Sequence, residues 1–320
     1  MTEMTNQTLL VQSRLAPPEG SQPVRIDRLN AGALVFYHAV AALAFLPWLF
    51  SWTGAVLCIV GIYLFGTLGI NLCYHRLLTH RGLVCPKWLE HTFAVLGVCS
   101  FQDTPARWVA VHRKHHQHAD EQADPHSPLV SFFWAHMHWI YVENRELNRL
   151  GIFDRYAKDI LRDRFYVWLE RRGSWLWVIL GSWVVFFLIG VGVALVGGAD
   201  SAEVLRMGLS VLVWGVFVRT VIVWHITWSV NSVTHLWGYR NYGTEDCSRN
   251  NVFVGLLSNG EGWHNNHHAD PRSARHGHTA WEIDVTWITI RALEAVGLAT
   301  RVVRPSPHVR ATAGEHGTAS

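Results

Sequence analysis

Histidines of this chain fall into three short clusters whose spacing is that of metal ligands. The clusters are His75 and His80; His112, His115 and His116; and His264, His267 and His268. The second and third place rings at positions i, i+3 and i+4, which share one face of an α-helix but diverge on it. The two rings of the first cluster are roughly 140° apart on an ideal helix, so they converge only if the helix ends or bends between them. Without a metal, so many buried rings would lack partners, and the clusters therefore predict metal binding.

The number of rings indicates two ions. Eight neutral imidazoles exceed what one four- to six-coordinate ion uses, and imidazole suits Fe, Zn, Cu and Ni alike. A zinc hydrolase would more often carry an H-E-x-x-H motif, which is absent from this sequence. A ferritin-like di-iron bundle needs two Glu-x-x-His pairs, and this chain has one match, Glu261 to His264. An all-histidine di-iron centre fits the spacing best.

Most other histidines are interpreted as hydrogen-bonded or surface groups, some of them beside the metal ligands. They are His38, His91, His118, His126, His136, His138, His225, His276, His278, His308 and His316. A single histidine in such a chain is more often a satisfied polar group than a ligand.

The composition indicates a membrane protein. Half of the 320 residues are apolar, only 16% are charged, and the mean hydropathy is +0.13. The net charge of +3 without a basic stripe predicts no nucleic-acid partner. Five widely spaced cysteines without a C-x-x-C pair predict no disulfide framework and a reducing compartment.

Four apolar runs are long enough to span a bilayer as helices, and the first three contain no Asp, Glu, Lys or Arg. They are residues 33–50, 54–73, 175–197 and 207–228, the last of which contains Arg219. Lys and Arg concentrate between the second and third runs, so the positive-inside rule predicts that this stretch, both termini and the histidine clusters lie on the cytoplasmic side. In a bacterium, the membrane would be the inner membrane.

The fold class predicted is an all-α membrane protein with four transmembrane helices forming a stem. A cytoplasmic helical cap, residues 74–174 and 229–303, would hold the histidine-ligated di-iron site. We expect a single membrane domain over 31–303, flanked by mobile segments at 1–30 and 304–320. Apolar residues at helical spacing near the end predict an amphipathic helix on the membrane surface instead of a fifth span. These are Trp281, Val285, Ile288, Ala292 and Val296.

Further strings extend the pattern. They are Phe101-Gln102, Trp108, Ala123-Asp124-Pro125-His126, Phe132-Phe133-Trp134-Ala135-His136, Asn231-Ser232-Val233-Thr234-His235-Leu236-Trp237-Gly238 and Gly260-Glu261-Gly262-Trp263. With the three clusters, residues 71–303 resemble the integral-membrane fatty acid desaturases, specifically the acyl-CoA delta-9 (stearoyl-CoA) branch of bacterial type. The resemblance implies that His235 is a ninth ligand and that Asn231 acts as a ligand through a water. Helical spacing agrees, since positions i and i+4 share a face.

The resemblance also implies an activity. Two Fe²⁺ ions with O₂ as co-substrate would introduce a cis double bond, at the delta-9 position, into a saturated fatty acyl chain; the cofactor must carry this step because an unactivated methylene has no acidic proton. No catalytic residue beyond the metal site is implied. Substrate-binding residues would be Gln102, Trp108, Thr227 and Trp228, which match positions that line the acyl tunnel in the family.

The resemblance does not decide which molecule carries the acyl chain or which protein donates the electrons. Residues 142–146 are mixed in charge, whereas animal acyl-CoA members have lysine-rich sequence there, so CoA, acyl carrier protein and membrane lipid all remain possible carriers. We expect electrons from a separate donor, either ferredoxin-like or a b-type cytochrome with its reductase.

Two rival functions remain. A related histidine-box hydroxylase of alkyl or sterol substrates would make an alcohol instead of an alkene. A membrane metal transporter or sensor would place its ligands inside the spans, whereas the clusters lie outside the apolar runs. The charge of Arg219 within the fourth run is expected to snorkel or pair near the inner surface, or to contact the substrate headgroup.

Overall fold

The computed structural model describes residues 15–148, 150–171 and 173–306, and this part of the chain is helical, with no strand. Of the predicted mobile ends, 1–30 and 304–320, residues 1–14 and 307–320 lie outside the described residues, as do His308 and His316. The helices are α1 (Arg28–Phe45), α2 (Trp52–Thr79), α3 (Lys87–Val98), α4 (Pro105–Gln117), α5 (Phe132–His136), α6 (Gly151–Tyr156), α7 (Arg164–Glu170), α8 (Ser174–Val196), α9 (Ser201–His235), α10 (Val252–Leu257), α11 (His264–Ala269) and α12 (Val285–Ala295).

Four of these helices, α1, α2, α8 and α9, are long and apolar enough to cross a membrane, as predicted. Two of them are longer than the apolar runs. Helix α2 has 28 residues and α9 has 35, whereas a bilayer core needs about 20. Helical hydrogen bonding does not stop where the apolar sequence stops, so both helices continue into the cap. His75 and His235 therefore stand on direct extensions of stem helices.

The ends of the first stem helix follow from local sequence. Asp27 caps α1, because its side chain accepts hydrogen bonds from the amides of Leu29 and Asn30, so the helix starts before the predicted residue 33. It ends at Phe45, ahead of Pro47. Ser51 caps α2 in the same way by accepting from the amide of Gly54.

The last part of α2, Ile62–Thr79, is wound as a π-helix. Its backbone bonds connect residues five apart, and the amide of His80 donates to the carbonyl of His75 at 3.1 Å. This winding places residue i+5 nearly above residue i, and the two imidazole centroids are 4.8 Å apart. The tighter ideal helix would separate them, so the change of winding brings the first cluster together.

Glycines allow helices to approach closely, both between stem and cap and within the stem. A Cβ on Gly69 of α2 would lie 2.5 Å from the backbone nitrogen of Gly97 of α3. Within the stem, a Cβ on Gly190 of α8 would lie 2.4 Å from the carbonyl oxygen of Met207 of α9. At both crossings the backbones touch, so only glycine fits without displacing a helix.

Residues 15–27, part of the segment 1–30, run along the cap. The amide of Leu15 donates to the carbonyl of Leu129, and the amide of Arg145 donates to the carbonyl of Gly20. Ser21 is buried. Backbone hydrogen bonds attach this stretch to the cap, and no local pattern in the sequence predicts them.

The predicted amphipathic helix is α12, although it spans only Val285–Ala295. It buries Ile290 and Thr286 against the protein, while Ile288 is 59% exposed. Most of the predicted apolar stripe therefore faces outwards. An outward apolar stripe on a helix is suited to a membrane surface.

Candidate metal centre and acyl-chain site

The nine predicted histidine ligands meet in two neighbouring groups at the end of the stem. Within each group, one ligand atom per residue lies within 4.8 Å of every other. The first group is His75, His80, His112, His116 and His267, and the second is His115, His235, His264 and His268. The structure thus divides the nine candidate ligands five and four, a division that the sequence left open.

Two short helices each serve both groups. On α4, His112 and His116 belong to the first group while His115 belongs to the second. On α11, His267 belongs to the first and His264 to the second. Positions i, i+3 and i+4 diverge on one helix face, which is why one helix can supply two neighbouring ions.

Distances within the groups fit metal coordination. Pairs of Nε2 atoms lie 3.1 Å apart for His75 with His267 and for His235 with His264. Two nitrogens about 2.1 Å from a shared ion and at right angles to each other are about 3.0 Å apart. Three further Nε2 atoms, those of His80, His115 and His268, are buried without a hydrogen-bond partner among the described residues. Metal coordination would use the lone pairs that face inwards, so the residues fit two ions.

Carboxylates support four of the ligands from outside. The pairs are His75 Nδ1 with Glu261 at 2.5 Å, His115 Nδ1 with Asp124 at 3.0 Å, His235 Nδ1 with Asp120 at 3.0 Å, and His268 Nδ1 with Asp246 at 2.6 Å. A carboxylate accepts only, so the proton resides on Nδ1 and Nε2 is left for a metal. Sequence reasoning did not identify these acids as partners. Asp124 and Glu261 belong to the sequence strings on which the family resemblance rests, whereas no motif in the sequence pointed to Asp120 or Asp246.

Electrostatics prepare the groups for cations. Burial, reinforced by neighbouring imidazoles, holds the pKa of His112 and of His116 well below the usual value, so both rings are neutral at pH 7. Burial opposes the charge of Asp124, but His115 and His126 outweigh it and keep the pKa of that carboxyl below its usual value. Neutral rings surrounded by charged carboxylates form a negative site.

Two histidines that the sequence analysis did not assign as ligands lie directly behind ligands. His276 is fully buried, with its ring centroid 4.4 Å from that of His267. The ring centroid of His126 lies 4.4 Å from that of His115. The sequence predicts such a place for His126 but not for His276, whose position only the structure reveals.

Asn231 lies one turn before His235 on α9 and is half-buried. Helical spacing places the two residues on the same face. Its role as a ligand through a water stays a prediction.

Of the four predicted substrate-binding residues, Thr227 and Trp228 stand on stem helix α9, and Gln102 and Trp108 stand in the cap. Trp108 stacks on His112 with ring centroids 4.8 Å apart. Gln102 donates through Nε2 to Thr227 Oγ1 at 3.2 Å. Trp228 is buried and stacks on Trp224 at 5.5 Å. The structure therefore brings Gln102 and Thr227 together and joins Trp108 to a ligand, while contact with substrate stays a prediction for all four.

Comparison with known proteins decides the family. The fatty acid desaturase model matches residues 46–281, most of the chain. The chain belongs to the fatty acid desaturase family. Fatty acid desaturases are oxidoreductases that put double bonds into acyl chains, and the two histidine groups agree with this membership.

The names of similar proteins specify different carriers of the acyl chain. It is 40% identical over 301 residues to the sn-2 palmitoyl-lipid 9-desaturase of Nostoc sp., covering 92% of this chain and 95% of that protein. It is 40% identical over 294 residues to the sn-1 stearoyl-lipid 9-desaturase of Synechocystis sp., covering 91% and 85%. It is also 39% identical over 281 residues to the icosanoyl-CoA 5-desaturase of Limnanthes douglasii, covering 88% and 73%. The delta-9 resemblance is thus confirmed by the first two, whose names specify lipid-linked chains.

Proposed function

We propose that this desaturase introduces a cis double bond at carbon 9 of a saturated acyl chain that is esterified in a membrane lipid. The reaction converts two adjacent methylenes, O₂, two electrons and two protons into an alkene and two waters. Relatives named for lipid-linked 9-desaturation, aligned over most of both chains, support the position and the carrier. The mixed charge of residues 142–146 agrees with a carrier that lacks the phosphates of CoA.

The division of nine histidines into groups of five and four carries the proposal of two iron ions. When bound, the ions would supply the activation of O₂ that removes hydrogen atoms from unactivated methylenes. Asn231 is assigned to the second group, as a ligand through a water.

The chain's own residues would hold and position the reactants. The Nδ1 proton of His75 stays on the ring because Glu261 accepts from it, which orients Nε2 inwards. Trp108 and Trp228 would wall the acyl tunnel and exclude water from it. Gln102 and Thr227, joined across it, would fix the depth to which the chain inserts.

We place both termini and the histidine groups on the cytoplasmic side of the bacterial inner membrane, because positive charge concentrates between the second and third stem helices. A separate cytoplasmic donor, ferredoxin-like or a b-type cytochrome with its reductase, would then reach the metal centre from the cap. The outward apolar stripe of α12 would rest on the same membrane face.

The experiment that tests the proposal is expression in a host that makes saturated acyl lipids, with and without a co-expressed ferredoxin and reductase. Lipid classes are separated before their fatty acids are analysed by gas chromatography with double-bond localisation. The proposal predicts a new delta-9 monounsaturated acid in glycerolipid, lost in His267→Ala. Short labelling pulses should show the label in saturated lipid before the unsaturated product appears.

Other outcomes separate the alternatives. An unsaturated acyl-CoA that precedes the unsaturated lipid would refute the lipid carrier alone. An alcohol product would favour the related hydroxylase. No product with any donor, together with metal-dependent uptake into vesicles, would favour the transporter.

A further inference from the structure

Arg219 is a fully buried arginine inside stem helix α9, and the groups that accept its hydrogen bonds in the described part of the chain are backbone carbonyls, not carboxylates. Its Nε donates to the carbonyl of Gly215 at 3.1 Å, and its Nη1 donates to the carbonyl of Cys99 at 3.0 Å. The guanidinium carbon lies 3.9 Å from the centre of the Phe65 ring. Arg219 therefore neither snorkels nor pairs as expected from sequence. It connects α9 with the end of α3.

A second side chain of α9 binds the same segment. Trp224 donates through Nε1 to the carbonyls of Ser100 at 2.9 Å and Phe101 at 3.2 Å. The hydroxyl of Ser100 in turn donates to the carbonyl of Phe65 on α2 at 3.0 Å. Three successive carbonyls, those of residues 99, 100 and 101, are thus bound by side chains of α9.

The segment that these contacts hold has a strained backbone. Phe101 has φ +52° and Asp103 has φ +73°, left-handed values that residues with a Cβ rarely adopt. Tyr74 donates to the carbonyl of Asp103 at 3.3 Å. Between the two strained residues stands Gln102, which donates to Thr227 of α9. Strain of this kind persists only where surrounding contacts enforce it.

We infer that Arg219 is a positioning residue that, together with Trp224, fixes residues 99–103 on α9 and thereby sets which carbon pair of the acyl chain is desaturated. Arg219 and Thr227 are eight residues apart on one helix, about 12 Å along its axis. The same rigid helix thus supplies both the anchor of the segment and the partner of Gln102. This inference rests on the proposed function, because it assigns Gln102 and Thr227 to the acyl tunnel.

The test compares the positional isomers made by the full-length protein in the host described above. The variants are Arg219→Met, Arg219→Lys and Trp224→Phe, each of which removes one or more of these hydrogen bonds. Loosening the segment should let the chain insert at other depths, so the minor isomers should rise roughly tenfold relative to the main product. Arg219→Lys, which can still reach one carbonyl, should give a smaller change.

Arg206→Met is the matched control. Arg206 also lies on α9 and donates to two carbonyls, those of Trp48 and Phe50, but it is about 20 Å from Arg219 along the helix. It should leave the isomer ratio unchanged. A double variant tests the route: if Arg219 acts through Gln102, then Arg219→Lys should add no further change to Gln102→Ala.

An unchanged isomer ratio in both Arg219→Met and Trp224→Phe would overturn the inference, even if yield falls, because a merely structural residue lowers yield without moving the double bond. Loss of all product without a new isomer counts against it equally. Absence of any product from the wild type would instead refute the proposed function.

Discussion

His75 and Glu261 are 186 residues apart in sequence, yet Nδ1 of the imidazole lies 2.5 Å from Oε2 of the carboxylate. Arg76, next to His75 on α2, donates through Nη2 to the other oxygen, Oε1, at 2.8 Å. Burial opposes the charge of Glu261, but Arg76, His276 and His75 outweigh it and hold the pKa of the carboxyl well below its usual value. The carboxylate of Glu261, which precedes the third histidine cluster in sequence, therefore connects that cluster with the end of stem helix α2.

Loss of this charge should weaken metal binding. We expect Glu261→Gln to lower iron affinity roughly 10- to 100-fold, because a neutral amide no longer enforces the Nδ1 proton of His75. Anaerobic titration of the metal-free protein with Fe²⁺ measures the effect. Asp246→Asn, at the less buried partner of His268, should act in the same direction. Glu121→Gln, which changes an acid bound to the non-ligand His118, is the control. Equal affinities in all three variants would contradict the orienting role.

Removal of a single ligand should abolish activity. His115→Ala deletes one of the four rings of the second group and should reduce desaturation at least about 100-fold, since even partners behind ligands typically cost 10- to 100-fold. His118→Ala removes a histidine three residues along that belongs to neither group. Iron per protein and fatty acid product are measured together. Full activity of His115→Ala would refute its assignment as a ligand.

The contact between α2 and α3 should not tolerate a methyl group. Gly69→Ala would place a Cβ 2.5 Å from the backbone of Gly97, so we expect the free energy of unfolding to fall by about 1–3 kcal/mol. Gly192→Ala on α8, where a Cβ meets nothing within 4 Å, should not destabilise the protein. Thermal unfolding in detergent, followed by tryptophan fluorescence, compares them. A similar loss in both variants would mean that the crossing of α2 and α3 is not this tight.

Stability of the cap should decrease in acid through Asp159. Burial opposes its charge, but hydrogen bonds and charges of Arg113 and Arg81 lower its pKa to about 2. Its contribution is present above the unfolded pKa, near 4, and is lost as pH falls towards 2. Because Asp159 is 38% exposed, screening limits the contribution to under about 1 kcal/mol.

Asp159→Asn isolates this contribution. The variant should be less stable than the wild type at pH 6 and approach it at pH 2.5, as measured by thermal unfolding. A constant difference between the two proteins across that range would show that the ion pairs do not titrate there.

Much of the stem and of the metal centre could be predicted from the sequence. Apolar runs of sufficient length predicted four stem helices, because hydrophobicity over about 20 residues is a local property. Histidines three and four residues apart predicted rings that meet in one place, because helix geometry alone puts them on one face. The family resemblance added His235, whose single ring has no cluster around it.

Other features depended on contacts between distant segments. A π-helix at the end of α2 aligns His75 with His80, although an isolated sequence of this kind favours ordinary α-winding. Asp120 and Asp246 meet their histidines across loops, and residues 15–27 bind the cap through backbone atoms.

The chain by itself therefore determined which elements are long and apolar enough to cross a membrane and which residue types could bind metal, since periodicity and composition are read within one helix. Only the tertiary structure decided that the ligands divide five and four, which acid orients which ring, and that Arg219 binds the end of α3 instead of snorkelling. Those outcomes depend on how separate helices pack, and the energy of such packing depends on residues that are far apart in the sequence.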